Sequence, residues 1–264
     1  MVLAAPSVAA ANPACGATVK HNVTLTSDMD CSNSPTAGII VGKAGITINL
    51  NGHTLTGPGS NTCCYFGIDG TNGYDKATVE NGTVSAYFEA VQLSNTTGAR
   101  ILHLKALGSS EGFDVQNSQN GVIDHSTAAH NATAGIHLSQ NTNFNVTSTW
   151  VFHNGFDGID DNGSLGTLDH VHANANGGLG VVVDHPGRSG ASYYTIENST
   201  ASHNFQTGFY ISENVPTYLY QAIVLDNTAD DNGDYGFFAD LKTKGKGNHA
   251  TGNKTANCFH VPCG

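Results

Sequence analysis

"HNGFDGIDDNGS", residues 153–164, sets His153, Asp157, Asp160 and Asp161 among glycines and asparagines with almost no bulk between them. The stretch is either a pocket in its own right or one turn of something that repeats. The surrounding sequence decides for a repeat. Glycines at 112, 135, 158, 180, 208 and 236 each precede two or three alternating apolar residues, as in "FDVQ" (113–116), "IHLS" (136–139), "VVVD" (181–184) and "FYIS" (209–212). The steps are 22 or 23 residues, then twice 28, and "GIIVGKAG" (38–45) and "AVQLSNTTG" (90–98) fit more loosely. Four residues before the later glycines stand Asn131, Asn154, Asn176, Asn204 and Asn232. Upstream, Ala128, Val151, Ala173, Ala201 and Ala229 recur in matching strand-like segments. Two registers agree over five rungs.

A period of twenty-odd residues with short strands and no helix signal means a solenoid. Each rung returns to the same corner, so successive strands are parallel, about 4.8 Å apart. The expected fold is all-β: a single-domain right-handed parallel β-helix of about 22–28 residues per rung, the hand being that of parallel crossovers generally. Its core is predicted to stack Phe113, Val115, Ile136, Leu138, Ile159, Val181, Val183, Phe209, Ile211 and Phe237. An asparagine at one corner of every rung can bond the rungs above and below. Residues 13–264 form the domain, with an N-terminal cap at 13–37 and a disulfide-tied tail from about 250 to 264 covering the open sheet edges.

Composition agrees. Charged residues are 12% of the 264 and glycines number 32, a poor recipe for amphipathic helices. The net charge of −11 argues against a nucleic-acid partner, which needs a basic face. No apolar run reaches the length of a membrane span. The start, "MVLAAPSVAAANPACG", reads as a residual signal peptide or tag-like segment over 1–12. Six cysteines cluster near the ends, at 15, 31, 63, 64, 258 and 263, which suggests disulfides and a secreted, extracellular location. Cys15 with Cys31 and Cys258 with Cys263 can close terminal loops. No C-x-x-C pair supports the rival reading, zinc. The oligomeric state is not legible.

Within the repeat, Asn154 and Gly158 are scaffold and Ile159 faces the core. Side chains alternate across a strand, so the second residue after each rung glycine points outward. That column reads Asp69, Gln92, Asp114, His137, Asp160, Val182 and Tyr210. Three adjacent rungs thus carry Asp, His and Asp where Thr, Ser, Lys or Asn is usual, with Asp161 and the "VDHPGR" turn (Asp184, His185, Arg188) nearby. The two long rungs can insert loops that wall a groove beside this face. Against that, any such column holds some Asp and His by chance. His130, His153 and His203, beside the asparagine column, read as plain turn residues. Asp124, Asp169 and Glu197, near His125 and His170, form a competing cluster on another strand.

The opening rung "ITINLNGHTLTGPGS" (46–60), followed by rungs of the form HNxxxxGI, resembles the secreted right-handed β-helix group. That group includes pectate-lyase-like and mannuronan C5-epimerase-like proteins, and the resemblance covers roughly residues 38–240. It implies the fold and a polysaccharide partner. In epimerase-like members an Asp-Pro-His stretch with a Tyr carries proton transfer; here Asp184, His185 and Pro186 stand in altered order.

Three mechanisms follow. The first is a polysaccharide lyase acting by β-elimination on a uronic-acid polymer, or the related C5 epimerase. Its base is His137, its acid Tyr210 or His185, and its neutraliser Arg188 or a Ca²⁺ held by Asp114, Asp160 and Asp161. Asp160 joins the catalytic set, and Asp114, Asp161, Asp184 and Arg188 bind substrate. The second is inverting glycoside hydrolysis by Asp114 and Asp160, whose two-rung separation approaches the spacing that admits a water. The third is a non-catalytic carbohydrate-binding β-helix whose exposed tyrosines (Tyr87, Tyr193, Tyr194, Tyr210, Tyr218, Tyr220) stack on sugars.

Overall fold

The computed structural model describes residues 11–163, 165–184, 194–212 and 222–264. These hold 26 short strands and no α-helix, and every pairing recorded is parallel. Among them no helix is long and apolar enough to cross a membrane. One face of the coil is an 11-stranded sheet that includes Glu111–Gln116, Ile136–Ser139, Ile159–Asn162, Val181–Asp184 and Phe209–Ser212. The remaining 15 strands form a second sheet folded around the other sides. Its corner is bridged by the two long strands Thr78–Ser85 and Arg100–Leu107.

The chain is the expected parallel β-helix. Phe113, Ile136, Ile159, Val181, Phe209 and Phe237 pair rung to rung and are fully buried, as are Val115, Leu138, Val183 and Ile211 in the next inward column. The alanine column is buried too, from Ala128 through Val151 to Ala173. Residues 13–37 do more than cover an edge. Their strands at Ala17–Val19, Val23–Thr24 and Met29–Asp30 pair in parallel with the following rung, so they build a turn of the coil.

The asparagine ladder holds one corner. Asn131 Nδ2 donates to Asn154 Oδ1 at 3.0 Å, and the same bond recurs from Asn154 to Asn176, Asn176 to Asn204, Asn204 to Asn232 and Asn232 to Asn253. Each Oδ1 also accepts the backbone N–H of the rung before, and each amide reaches a backbone carbonyl of that rung. An amide offers donors and an acceptor together, so identical copies satisfy one another.

His130, His153 and His203 take φ values of 57°, 54° and 60°. They are left-handed corner residues, a conformation in which His, Asn and Asp are enriched. His125 and His170 turn the opposite corner in the same way, each with its ring against the preceding carboxylate, Asp124 at 2.9 Å and Asp169 at 2.6 Å. Disulfides join Cys15 to Cys31, Cys258 to Cys263, and the adjacent pair Cys63 and Cys64.

Candidate active site

The outward column of the 11-stranded sheet stacks in register: Asp69, Gln92, Asp114, His137, Asp160, Val182, Tyr210, Phe238 and Phe259. His137 therefore sits one rung from Asp114 and one from Asp160. Its Nδ1 lies 3.2 Å from Asp114 Oδ1 and 3.8 Å from a Glu111 oxygen. Asp114 is only 2% exposed, although its strand position points outward. Gln116 Nε2 donates to its Oδ2 at 2.7 Å and Gln92 Nε2 at 3.5 Å, so two amides roof the carboxylate over.

Glu89 and Glu111, one pairing directly with the other, complete the cluster. Sequence reading missed both. They stand three residues before the outward column, ahead of the apolar run. The signal lay in the residue before each rung glycine, or before Ala90 in its place, which reads Glu89, Glu111, Ala134, Asp157: three acids in four rungs. Asp157 accepts the backbone N–H of Leu179 at 2.6 Å.

Crowding and burial move these groups together. The hydrogen bond to Asp114 leads in raising His137 to about 9, opposed by burial. Burial, then the neighbouring Asp114, pushes Glu89 far above the ordinary carboxylate range. Burial likewise raises Glu111 and Asp160, partly offset by His137, and carries Asp157 to about 6. At neutral pH His137 is an imidazolium and Glu89 a neutral carboxyl. The groups in reach of a polymer are His137 (side chain 23% exposed), Glu111 (29%) and the half-buried Asp160.

Several expectations need correcting. Asp161 pairs with Leu138 and Val183 in the inward column, is 0% exposed, and meets the buried Tyr194 hydroxyl. It belongs to the core and touches neither substrate nor a surface ion. Asp114 is too buried to meet a polymer directly; its carboxylate lies against the His137 ring instead. His137 holds a proton below about 9, so it suits an acid better than the expected base. Tyr87 and Tyr194 are buried and stack on no sugar. Tyr210 stands outward but is separated from Asp160 by the Val182 rung and stacks on Phe238, centroids 5.2 Å apart. Asp184, two residues after Val182 and half-buried, faces the same side and helps raise Asp160 and Tyr210. His185, Arg188, Tyr193, Tyr218, Tyr220 and both inserted loops lie outside the described residues.

Donor atoms of Glu111, Asp114 and His137 lie within 4.8 Å of one another, the arrangement of a possible metal site. The expected calcium set is not formed, because Asp161 is inside, and a central imidazole does not suit an ion that prefers six to eight oxygens.

Residues 74–260 match the family described as NosD, periplasmic copper-binding protein. The chain belongs to the NosD family. In this NosD-family chain all six cysteines are paired and Met29 is buried in the core, so a thiolate or thioether copper site is not formed among the described residues. The imidazole and carboxylates of His137, Glu111 and Asp114 do fit a divalent ion accepting N and O donors, copper(II) included. Such an ion would neutralise the crowded acids and take the place of the proton on His137.

No curated protein matches the sequence. Among solved structures the chain is similar to the periplasmic alginate epimerase AlgG, D317A mutant (TM-score 0.64, 13% identity, covering 89% of this chain and 58% of that one). It is similar also to the AlgE6 A-module, a mannuronan C-5 epimerase of Azotobacter vinelandii (TM-score 0.55, 14%, 89% and 63%). A third is pectate lyase Pel9A (TM-score 0.54, 12%, 92% and 78%). The chain spans less than two thirds of the two epimerase chains. At this identity the likeness is one of fold, the parallel β-helix that the opening rung resembles.

Proposed function

We propose that the chain is a polysaccharide-active enzyme acting on a uronic-acid polymer by proton transfer next to the carboxylate, as a lyase or C5 epimerase. One observation carries the reading: an imidazolium anchored by a buried carboxylate, flanked on the accessible face by two carboxyls of raised pKa. Groups pushed apart in proton affinity are how one site supplies both acid and base. The similar structures named for alginate epimerases and a pectate lyase support this substrate class.

Asp160, a stronger base than an ordinary aspartate, takes the proton from C5. Glu111, held toward its protonated form, donates a hydrogen bond to the substrate carboxylate as negative charge builds there. Elimination then breaks the C4–O bond, forms the C4–C5 double bond, and passes the His137 proton to the departing oxygen. In epimerisation no bond to oxygen breaks, and His137 returns a proton to C5 from the other side. Three disulfides and the family's periplasmic description support a location outside the reducing cytosol.

Inverting hydrolysis is the second reading, favoured by carboxyls on both sides of His137 and by the net charge of −11. Incubation with pectate, alginate, glucuronan and neutral glycans, with and without chelator, separates the two. Absorbance near 235 nm or deuterium uptake at C5 is expected. Reducing ends without either signal would establish hydrolysis instead.

A further inference from the structure

Two phenylalanines at the corner leading into the site are held in water. Phe205 is 74% exposed and Phe156 55%, more than the other large apolar side chains of the described residues. Single exposed apolar residues are ordinary; this pair frames a shape. Phe156 and Phe205 lie on rungs 154–158 and 204–208, with rung 176–180 between them. Where side chains would stand on that middle rung are Gly177 and Gly178. The Gly178 N–H donates to the Phe156 carbonyl and the Phe205 N–H to the Asn176 carbonyl, which fixes the order of the three rungs.

Neither glycine has positive φ, so backbone conformation does not require them. Close approach does. A Cβ on Gly177 would come 2.4 Å from the Gly155 carbonyl, and one on Gly178 would come 2.4 Å from Asp157 Oδ1. The result is a rung without side chains of its own between two exposed phenylalanines, edged by the Asp157 carboxylate beside Gly178. Two rungs span about 9.6 Å, and a saturated six-membered ring needs about 4 Å of carbon contact on each side. The rim is polar: in the Phe156 column, Thr133 stands one rung earlier and Gln206 two rungs later, next to Phe205 on its own rung. A ligand with apolar faces and hydroxyl edges suits this slot better than an acyl chain would.

The slot is continuous with the cluster, because Asp157 follows Phe156 directly and interacts with Asp160. We infer that Phe156 and Phe205 clamp one pyranose residue of a glycan over the Gly177–Gly178 floor, a subsite beside His137 and Asp160. The inference rests on the polysaccharide reading above and adds where the polymer is gripped.

The test measures binding apart from turnover. Wild type, Phe156→Ala/Phe205→Ala and Phe205→Trp are compared in affinity gels cast with pectate, alginate, glucuronan or a neutral glycan. KM and kcat are then measured on whichever polymer retards the wild type. The double variant should bind about tenfold more weakly and show that loss in KM, while Phe205→Trp keeps its affinity. Unchanged binding by the double variant overturns the subsite, as does a wild type retarded by none of the gels. Retardation lost in the double variant, with no turnover by the wild type, upholds the subsite and counts against the reaction.

Discussion

The asparagine corner and the outer acid cluster are built on the same repeat and meet opposite fates. Both stack polar side chains at the rung spacing. From Asn131 to Asn253 each amide gives a hydrogen bond to the next and takes one from the last, so burial leaves nothing unpaired. From Glu89 to Asp160 the stack is of acids, which can only accept when charged, and their proton affinities rise together. A self-complementary group repeated along a coil stabilises it, whereas a charged one works against it. Acids kept in such a place serve something other than the fold.

That contrast can be broken from either side. The largest effect on stability is expected for Asn176→Ala, which removes the acceptor for Asn154 and the donor to Asn204 and to the Val151 carbonyl. A loss of about 3 kcal/mol in urea unfolding is expected, with turnover per folded molecule retained. On the other side, His137→Ala should lower turnover per folded molecule by about 100-fold or more, and it should lower the melting temperature as well, because the buried Asp114 carboxylate loses its cation. A variant of full activity would remove the cluster from the chemistry.

The pH dependence sharpens the comparison. His137 is raised, so its proton and the stability it lends are present below its ordinary value and are lost as pH rises through about 9. The alkaline limb of kcat should fall there and move to lower pH in Asp114→Asn. Glu89 is a raised carboxyl, whose stabilising proton is held at low pH and lost as pH climbs above the unfolded value. Glu89→Gln should therefore gain stability relative to wild type from pH 5 to pH 9, by at least about 1 kcal/mol at the upper end. The smallest effect belongs to the corner: His153→Asn, at φ 54°, should change stability by under about 0.5 kcal/mol and leave activity alone.

Much of this was legible in the chain, because a parallel coil turns sequence period directly into spatial neighbourhood. The rung glycines, the asparagine column and the stacking of Asp114, His137 and Asp160 follow from counting. Alternation alone also placed Asp161 inward, and reading it with its neighbour Asp160 as one acidic pair set aside that rule. Glu89 and Glu111 are not marked by strand alternation, which starts at the rung glycine and assigns no face to the residue before it.

The sequence by itself determined the architecture, since a twenty-odd-residue repeat of short strands has few ways to bury its apolar faces. Only the tertiary structure decided which polar groups act together. Whether Asp114 is reached by water depends on two glutamine amides, one of them on the preceding rung, and the charge of His137 depends on the carboxylates that surround it. Such properties belong to a neighbourhood in space, where burial and nearby charge set proton affinity, and no single position in the repeat carries them.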